Sequence, residues 1–236
     1  MNQPRFHEVT FTFDARVREL GITGMYFVME GLTNQATNDE FDELLVHELE
    51  ALDDSVSRGY DVKTDPILKG FRTLHAQLGL SNRNNVSSAE NLLRMIRMNG
   101  SIPRVNLLVD ICSLVSLRTR LAVGAHDLAR IDGDIRLTLT TGRETYVPFG
   151  APVPRPVGPG EYAYIDDSGA IICRLETRQV TKSKVDLSTT SCFFVVQGNP
   201  STEADYVSRA GYELIALTKD FCGGTERMLY DPTTLP

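Results

Sequence analysis

Tryptophan is absent from this 236-residue sequence, and cysteine and histidine occur only four times each. Cys112, Cys173, Cys192 and Cys222 lie far apart, and neither a CxxC nor an HxxxH spacing occurs, which removes the usual zinc patterns. Set among apolar neighbours, the four thiols are expected to be buried and reduced rather than joined in disulfides. No GxSxG elbow is present and no Cys-His-Asn arrangement can be assembled, so a covalent nucleophile is not expected. Neither a metal nor a cofactor is expected. No run approaches about eighteen apolar residues, so no membrane span is expected. The opening MNQPRFHEVTFTFD lacks a basic region followed by an apolar one. No secretory signal is therefore expected, and the expected compartment is the cytoplasm.

What is present is an ordinary globular composition, 42% hydrophobic and 23% charged, with enough length for a real core. The formal charge of −7 is unevenly spread. Residues 1 to 65 carry 14 acidic and 5 basic side chains, a net of −9, whereas residues 66 to 236 carry 17 and 19, a net of +2. The acidity belongs to one end, and the remainder can present a local basic face to a polyanion. The organisation expected is an acidic α/β segment over residues 1–60, packed on a main domain over residues 61–236.

Alternation marks a strand in HEVTFTF, and MYFVME is a second strand candidate. In NDEFDELLVHELEALDDSV, Phe41, Leu44, Leu45, Leu49, Leu52 and Val56 recur at helical spacing behind a cap at Asn38 or Asp39. Asp65-Pro66 opens a second helix, with its stripe at Ile67, Leu68, Phe71, Leu74 and Leu78 and its stop at Gly79. Ser87 or Ser88 caps a third, AENLLRMIRMNG, closed by Gly100. From about residue 121 to 198, short strand-like runs alternate with turns: DIRLTLT, ETYVPFG, EYAYIDD, AIICRLETR and SCFFVVQG. Between them APVPRPVGPG reads as an ordered loop. EADYVSRAGYELIALTKDF is a closing helix ended by Gly223-Gly224. Helices, an antiparallel strand block and a last helix make the fold class α+β.

NLLVDICSLVS, residues 106–116, poses a problem. Wound as a helix it is apolar nearly all round, and such a helix is buried. Yet Asn106, Asp110 and Ser113 fall in a single file along it. A buried carboxylate needs a partner or a wet cavity. Either the file is a pocket wall, with Asp110 receiving an ammonium or a cationic side chain, or it is a structural network. In the network Asp110 accepts from backbone N–H groups or from Arg174 or Arg178, the commoner use of polar groups on core helices.

A set of short motifs occurs in a distinctive order: Asn106-x3-Asp110, then Gly124-Ala125-His126-Asp127-Leu128 with ARIDGDI, Gly160-Glu161, Asp166-Asp167, CRLETRQ with Arg174, Arg178 and Gln179, and the Thr189-Thr190 strand entry. Together they resemble the B3/B4 domain, the editing module in the beta chain of bacterial phenylalanyl-tRNA synthetase, which also exists as standalone proteins. Upstream, PILKGFRTLHAQLGL and SSAENLLRMI are similar to the front of the standalone versions. The resemblance implies a B3/B4-like antiparallel β block with flanking helices, and hydrolysis of the ester between a wrong amino acid and the 3′ end of tRNA. Two residues depart from the pattern. Ser113 stands where the family usually has Asn, and the strand after the Thr pair ends at Gln197. Synthetase versions carry in that region a glutamate that helps recognise a tyrosine hydroxyl, so Tyr-tRNA specificity is not implied.

The activity implied is that of a metal-independent, trans-editing aminoacyl-tRNA deacylase, with misacylated tRNA as partner and an aminoacyl-tRNA synthetase as a second. Candidate substrates are a mischarged tRNA-Phe and canavanyl-tRNA-Arg. Such an ester is already activated, so the site must mainly hold the terminal adenosine, admit the side chain, place a water and stabilise the oxyanion. His126 is the expected catalytic group, since an ordinary histidine pKa suits proton transfer near neutrality; Asp127 is expected to hold a turn. Asn106, Asp110, Ser113, Glu161 and Asp166 are the expected substrate-binding residues, with Glu161 and Asp166 facing opposite sides of YAYI. Arg174 and Arg178, four apart on one strand, and Lys182 and Lys184 of TKSK are the expected tRNA contacts. Ion pairing of the arginines with Asp166, Asp167 or Glu176 is the competing use. A non-catalytic tRNA- or amino-acid-binding module and a small-ester or amide hydrolase are the alternative functions. The sequence sets no oligomeric state.

Overall fold

The computed structural model describes residues 8–57 and 60–234. His7, the first residue of HEVTFTF, and the side chain of Val56 lie outside the described residues. In chain order, β1 (Phe11–Phe13) leads through the one-turn helix α1 (Ala15–Arg18) to β2 (Gly24–Glu30). Four helices follow: α2 (Asp39–Ser57), α3 (Pro66–Gln77), α4 (Ser88–Asn99) and α5 (Leu107–Thr119). Then come β3 (Ala122–Asp127), a 3-10 turn at Leu128–Arg130, β4 (Ile135–Leu139), β5 (Thr145–Tyr146), β6 (Arg155–Pro156), β7 (Tyr162–Asp166), β8 (Ile171–Arg174), β9 (Arg178–Gln179) and β10 (Ser191–Gln197). Helix α6 (Ala204–Cys222) and β11 (Thr225–Tyr230) complete the order.

The helix starts follow from their capping side chains. Asn38 Oδ1 accepts the Phe41 N–H at 2.9 Å, and Asp65 Oδ1 accepts those of Ile67 and Leu68, both at 3.0 Å. Ser87 caps α4, which stops at Gly100 in the left-handed conformation (φ 70°). APVPRPVGPG is not wholly loop, because Arg155-Pro156 pair with Thr145-Tyr146 as a two-residue ladder. Strand β11 has no counterpart among the sequence expectations.

The strands form an antiparallel sheet in the order β11-β2-β10-β3 and a second sheet in the order β1-β4-β7-β8-β9, in which only β1 and β4 run parallel. Alternation then sorts the side chains into layers. Met25, Phe27, Met29, Cys192, Phe194 and Val196 meet the helices on one face of the four-stranded sheet. Tyr26, Val28, Phe193 and Val195 on its other face meet Ile135, Leu137, Tyr162 and Tyr164 of the five-stranded sheet. The result is helices on sheet on sheet, an α+β architecture. Strands β2 and β10 are buried on both faces, which is why they read as unbroken apolar runs. Strand β2 comes from the acidic front of the chain and lies between β11 and β10. The four cysteines are thiols, with Cys112, Cys192 and Cys222 buried. No helix among the described residues is long and apolar enough to cross a membrane.

Candidate functional site

Helix α5 packs against α4, α6 and β3, and ten of its thirteen residues are buried. Its polar file divides into three separate roles. Asn106 precedes the helix as its N-cap: Oδ1 accepts the Val109 N–H at 3.2 Å, and Nδ2 donates to the Val185 carbonyl at 3.4 Å. Asp110 is fully buried and accepts from Arg104 Nε at 2.7 Å and from the Val105 N–H at 3.1 Å. Arg104 also reaches Asp42 at 2.5 Å. Ser113 donates to the Val109 carbonyl at 3.0 Å. Asp110 is thus part of a structural network, but its cation is Arg104 rather than Arg174 or Arg178. The approach to the helix brings Arg104 against the first turn, where the Asp110 carboxylate also complements the positive end of the helix dipole.

Val185 belongs to a strap, residues 181–190, laid along β3. The Asp127 N–H donates to the Ser183 carbonyl at 3.0 Å, and His126 Nδ1 lies 2.9 Å from Ser183 Oγ. Ser183 Oγ is also 3.2 Å from the Ile172 carbonyl, and Gln179 Nε2 donates to the Ala125 carbonyl at 3.1 Å. These bonds tie the edge strand β3 of one sheet to β8 and β9 of the other. Asp127 holds a turn, accepting the Ala129 N–H at 3.0 Å, and its second oxygen takes the Thr189 hydroxyl at 2.9 Å. His126 is 3% exposed, and burial pushes its pKa down to about 4. The ordinary pKa expected for it therefore gives way to a neutral imidazole at pH 7, because desolvation disfavours the cation.

The expected carboxylates already hold cations. Lys182 pairs with Asp132 at 2.7 Å and with buried Asp166, which also accepts from Ser168. Burial opposes ionisation of Asp166, but Lys182, Ser168 and the Asp132 N–H outweigh it and hold the carboxyl below the usual range. Arg174 Nε lies 2.5 Å from Glu161, and its Nη1 lies 3.0 Å from Asn85 Oδ1. Ion pairing of Arg174 is therefore realised with Glu161, not with Asp166, Asp167 or Glu176. Arg174 and Arg178 do not share one strand. A turn at residues 175–177, with Leu175 at φ 53°, separates β8 from β9 and makes the two arginines cross-strand partners. The side chain of Arg178 lies outside the described residues. Lys184 has no carboxylate partner among the described residues, and its Nζ stands 5.4 Å from the centroid of the Phe149 ring.

A buried polar chain escaped the sequence reading. His75 Nδ1 lies 3.2 Å from the Asn85 carbonyl and Nε2 lies 2.7 Å from Glu176 Oε1. The Tyr162 hydroxyl bonds the other Glu176 oxygen, Gln197 Nε2 reaches Tyr162 at 3.5 Å, and Tyr164 donates to Gln197 Oε1 at 2.5 Å. Burial opposes a charged His75, but Glu176 and the Asn85 carbonyl outweigh it and raise the pKa. The sequence signals were Gln197, a polar end to an apolar strand, and Glu176, expected to pair with the arginines rather than with His75; His75 hides beside Leu74 on an amphipathic helix.

Two open hollows lie beyond these clusters, and the second is bordered by Asp42, the outer partner of Arg104. One, of about 580 Å³, sits at the start of α6 between Ile67, Glu203, Tyr206 and Arg209. The other, of about 440 Å³, lies along α2 beside Glu43, Val46, His47 and Glu50. Neither takes in an expected site residue. Among the described residues no group of three or more His, Cys, Asp or Glu side chains is placed to hold a metal.

No curated protein sequence matches the chain. Its fold is similar to that of an N-terminal fragment of the phenylalanyl-tRNA synthetase beta-subunit from Pyrococcus horikoshii, with a TM-score of 0.52 and 12% identity over 96% of this chain. The chain spans about half, 52%, of that fragment, and at this identity the likeness is one of fold. The family model for the B3/4 domain matches residues 74–222, more than half of the chain, a span that includes His75, α5, His126, Glu161, Arg174 and the strap. The chain belongs to the B3/4 domain family.

Proposed function

We propose that this chain is a trans-editing deacylase, acting in the cytoplasm, that hydrolyses the ester joining a wrong amino acid to the 3′ end of a tRNA. The observation that carries the reading is the B3/4 domain over residues 74–222. The fold likeness to a tRNA synthetase beta-subunit supports it. An aminoacyl ester is activated already, so hydrolysis depends on placement of substrate and water more than on a strong nucleophile. A neutral, buried His126 suits that requirement as a positioning residue, fixing the strap through Ser183 rather than shuttling protons. Ser183 itself is fully buried and shared between His126 and the Ile172 carbonyl, which argues against a nucleophilic role.

The ion pairs bear on the choice of substrate. Asp110, Glu161 and Asp166 hold Arg104, Arg174 and Lys182, so none offers an unshared anion to a guanidinium-like side chain. Canavanyl-tRNA-Arg would require one of these pairs to open, and a mischarged tRNA-Phe is the first candidate. A synthetase would supply the substrate by releasing it. One observation favours a second reading: the depth of His126 and Ser183 suits a non-catalytic tRNA-binding module.

Release of labelled amino acid from Tyr-tRNA-Phe, canavanyl-tRNA-Arg, a D-aminoacyl-tRNA and correctly charged controls tests the proposal. Selective hydrolysis of one mischarged species supports editing and names the substrate. Retention of tRNA with no hydrolysis of any species leaves the binding module. Equal, salt-independent hydrolysis of free aminoacyl esters indicates a small-ester hydrolase instead.

A further inference from the structure

We propose that Phe149 and Lys184 form a receiving platform for a single-stranded nucleic-acid end, the ring stacking one base and the ammonium holding a phosphate. The inference rests on the tRNA reading for the identity of that end, the 3′ CCA strand, and adds a place for it that lies outside the buried polar groups.

Phe149 is 58% exposed, whereas Phe13, Phe27, Phe41, Phe71, Phe193 and Phe194 are all buried. Its exposure does not come from a loose loop. The Phe149 N–H donates to the Gln179 carbonyl at 2.9 Å, the Thr181 N–H donates to the Val147 carbonyl at 3.1 Å, and Pro148 bridges to Val180. The ring is therefore held on ordered backbone beside β9. Lys184 follows Ser183, which is anchored to His126 and to the Ile172 carbonyl, so the lysine also starts from a fixed point.

The charges sort in the same direction. Lys182 is neutralised by Asp132 and Asp166, Arg174 by Glu161, and Arg130 by Asp127 and Asp186. Lys184 has no carboxylate partner among the described residues. Neither do Arg143 and Arg155, both exposed, which flank the Phe149 loop on either side in the chain. An open aromatic ring beside an unneutralised ammonium is the combination that single-strand binders use. Every base has a π face to stack, and phosphates follow the cations without demanding a sequence. A duplex, with its bases already stacked, has no use for the ring.

The test is fluorescence anisotropy of a short labelled single-stranded RNA ending in CCA, and of the same sequence as a blunt duplex, with the full chain. Variants are Phe149→Ala, Phe149→Trp, Lys184→Gln and, as an exposed control, Met98→Ala. Expected is a loss of about tenfold or more in single-strand affinity for Phe149→Ala, with Phe149→Trp and Met98→Ala close to the parent. Lys184→Gln should lower the salt slope by about one. Thermal melting checks that each variant is folded, as surface positions should allow. Unchanged single-strand binding in Phe149→Ala overturns the platform. So does no binding by the parent chain, or an equal loss on duplex, which would reduce the patch to general charge; so too does a protein partner held through Phe149 with RNA binding unaffected. The two readings fail separately. Phe149-dependent RNA binding without hydrolysis of any charged tRNA removes the deacylase and keeps the platform. Hydrolysis of charged tRNA with the same kcat/KM in Phe149→Ala does the reverse.

Discussion

His75, on α3, and His126, on β3, are 1% and 3% exposed, yet their surroundings push their pKa values in opposite directions. Around His126 burial acts without a counter-charge and leaves a neutral ring hydrogen-bonded to a hydroxyl. Around His75 burial is again the largest influence, but Glu176 at 2.7 Å and the Asn85 carbonyl override it. Depth alone therefore does not set the charge of a buried imidazole; the neighbour that shares the depth does. The consequence is a division of the molecule. The His75–Glu176 pair binds the helical layer to the five-stranded sheet electrostatically, while the His126 region joins the two sheets through uncharged hydrogen bonds.

The largest effect should come from breaking the charged side of this comparison. His75→Leu or Glu176→Leu leaves the other member buried without its partner, and each should lower the unfolding free energy by about 3–5 kcal/mol in urea denaturation. The double variant should cost clearly less than the two singles together, because it removes both charges at once. Additive losses would show that the two residues do not act as a pair.

The pH dependence of stability sharpens the comparison, with a smaller effect. The folded pKa of His126, about 4, lies below the ordinary histidine value of 6.5. As pH falls, the unfolded chain takes up the proton first. The contribution of His126 is therefore complete above about pH 6.5 and is lost between there and about pH 4, about 3 kcal/mol in all. His75, with its pKa raised, behaves in the opposite sense. Its contribution is complete below about pH 6.5 and is lost as pH rises through the raised value. Asp166, held below the usual carboxylate range, loses its contribution only at lower pH still, as pH falls through its depressed pKa. Urea midpoints followed across pH should show the acid-side loss flattened in His126→Phe and the alkaline-side loss flattened in His75→Leu. An unchanged acid-side slope in His126→Phe would place that loss on other groups.

The caps at Asp65 and Ser87, the stop at Gly100 and the apolar runs of β2 and β10 were legible because each depends on a few consecutive residues. Asp110 was legible as a group in need of a partner, since burial of the helix follows from its own composition. The partner was not, because Arg104 is brought to it by the path of the chain before α5. Glu176 and His75 meet only when β8 and β9 pack under α3, and nothing local marks either residue. The turn at residues 175–177 carries no Gly or Pro in CRLETR; Leu175, fully buried at φ 53°, is held there by its packing. That turn explains why Arg174 and Arg178 read as neighbours on one strand. It also carries Glu176 to His75, so one unmarked bend hid both the arginine geometry and the charged pair.

The smallest effect should come from Asn106, which links α5 to the strap on the neutral side. Asn106→Ala removes the cap and the Nδ2 bond to Val185, and should cost about 1 kcal/mol of global stability. Asn106→Ser keeps a capping oxygen for the Val109 N–H and loses only the donor to Val185. In that variant stability should stay within a few tenths of a kcal/mol of the parent, while hydrogen exchange of the Asp127 N–H, which donates to Ser183, should quicken. Unchanged exchange would mean that Ser183 and Thr189 hold the strap without help from α5. Quicker exchange with an intact helix would make Asn106 the residue through which the buried helix positions the strap. The polar file in NLLVDICSLVS would then begin with a brace between layers, and the neutral imidazole of His126 would owe its fixed hydroxyl partner to a cap on the opposite side of the strap.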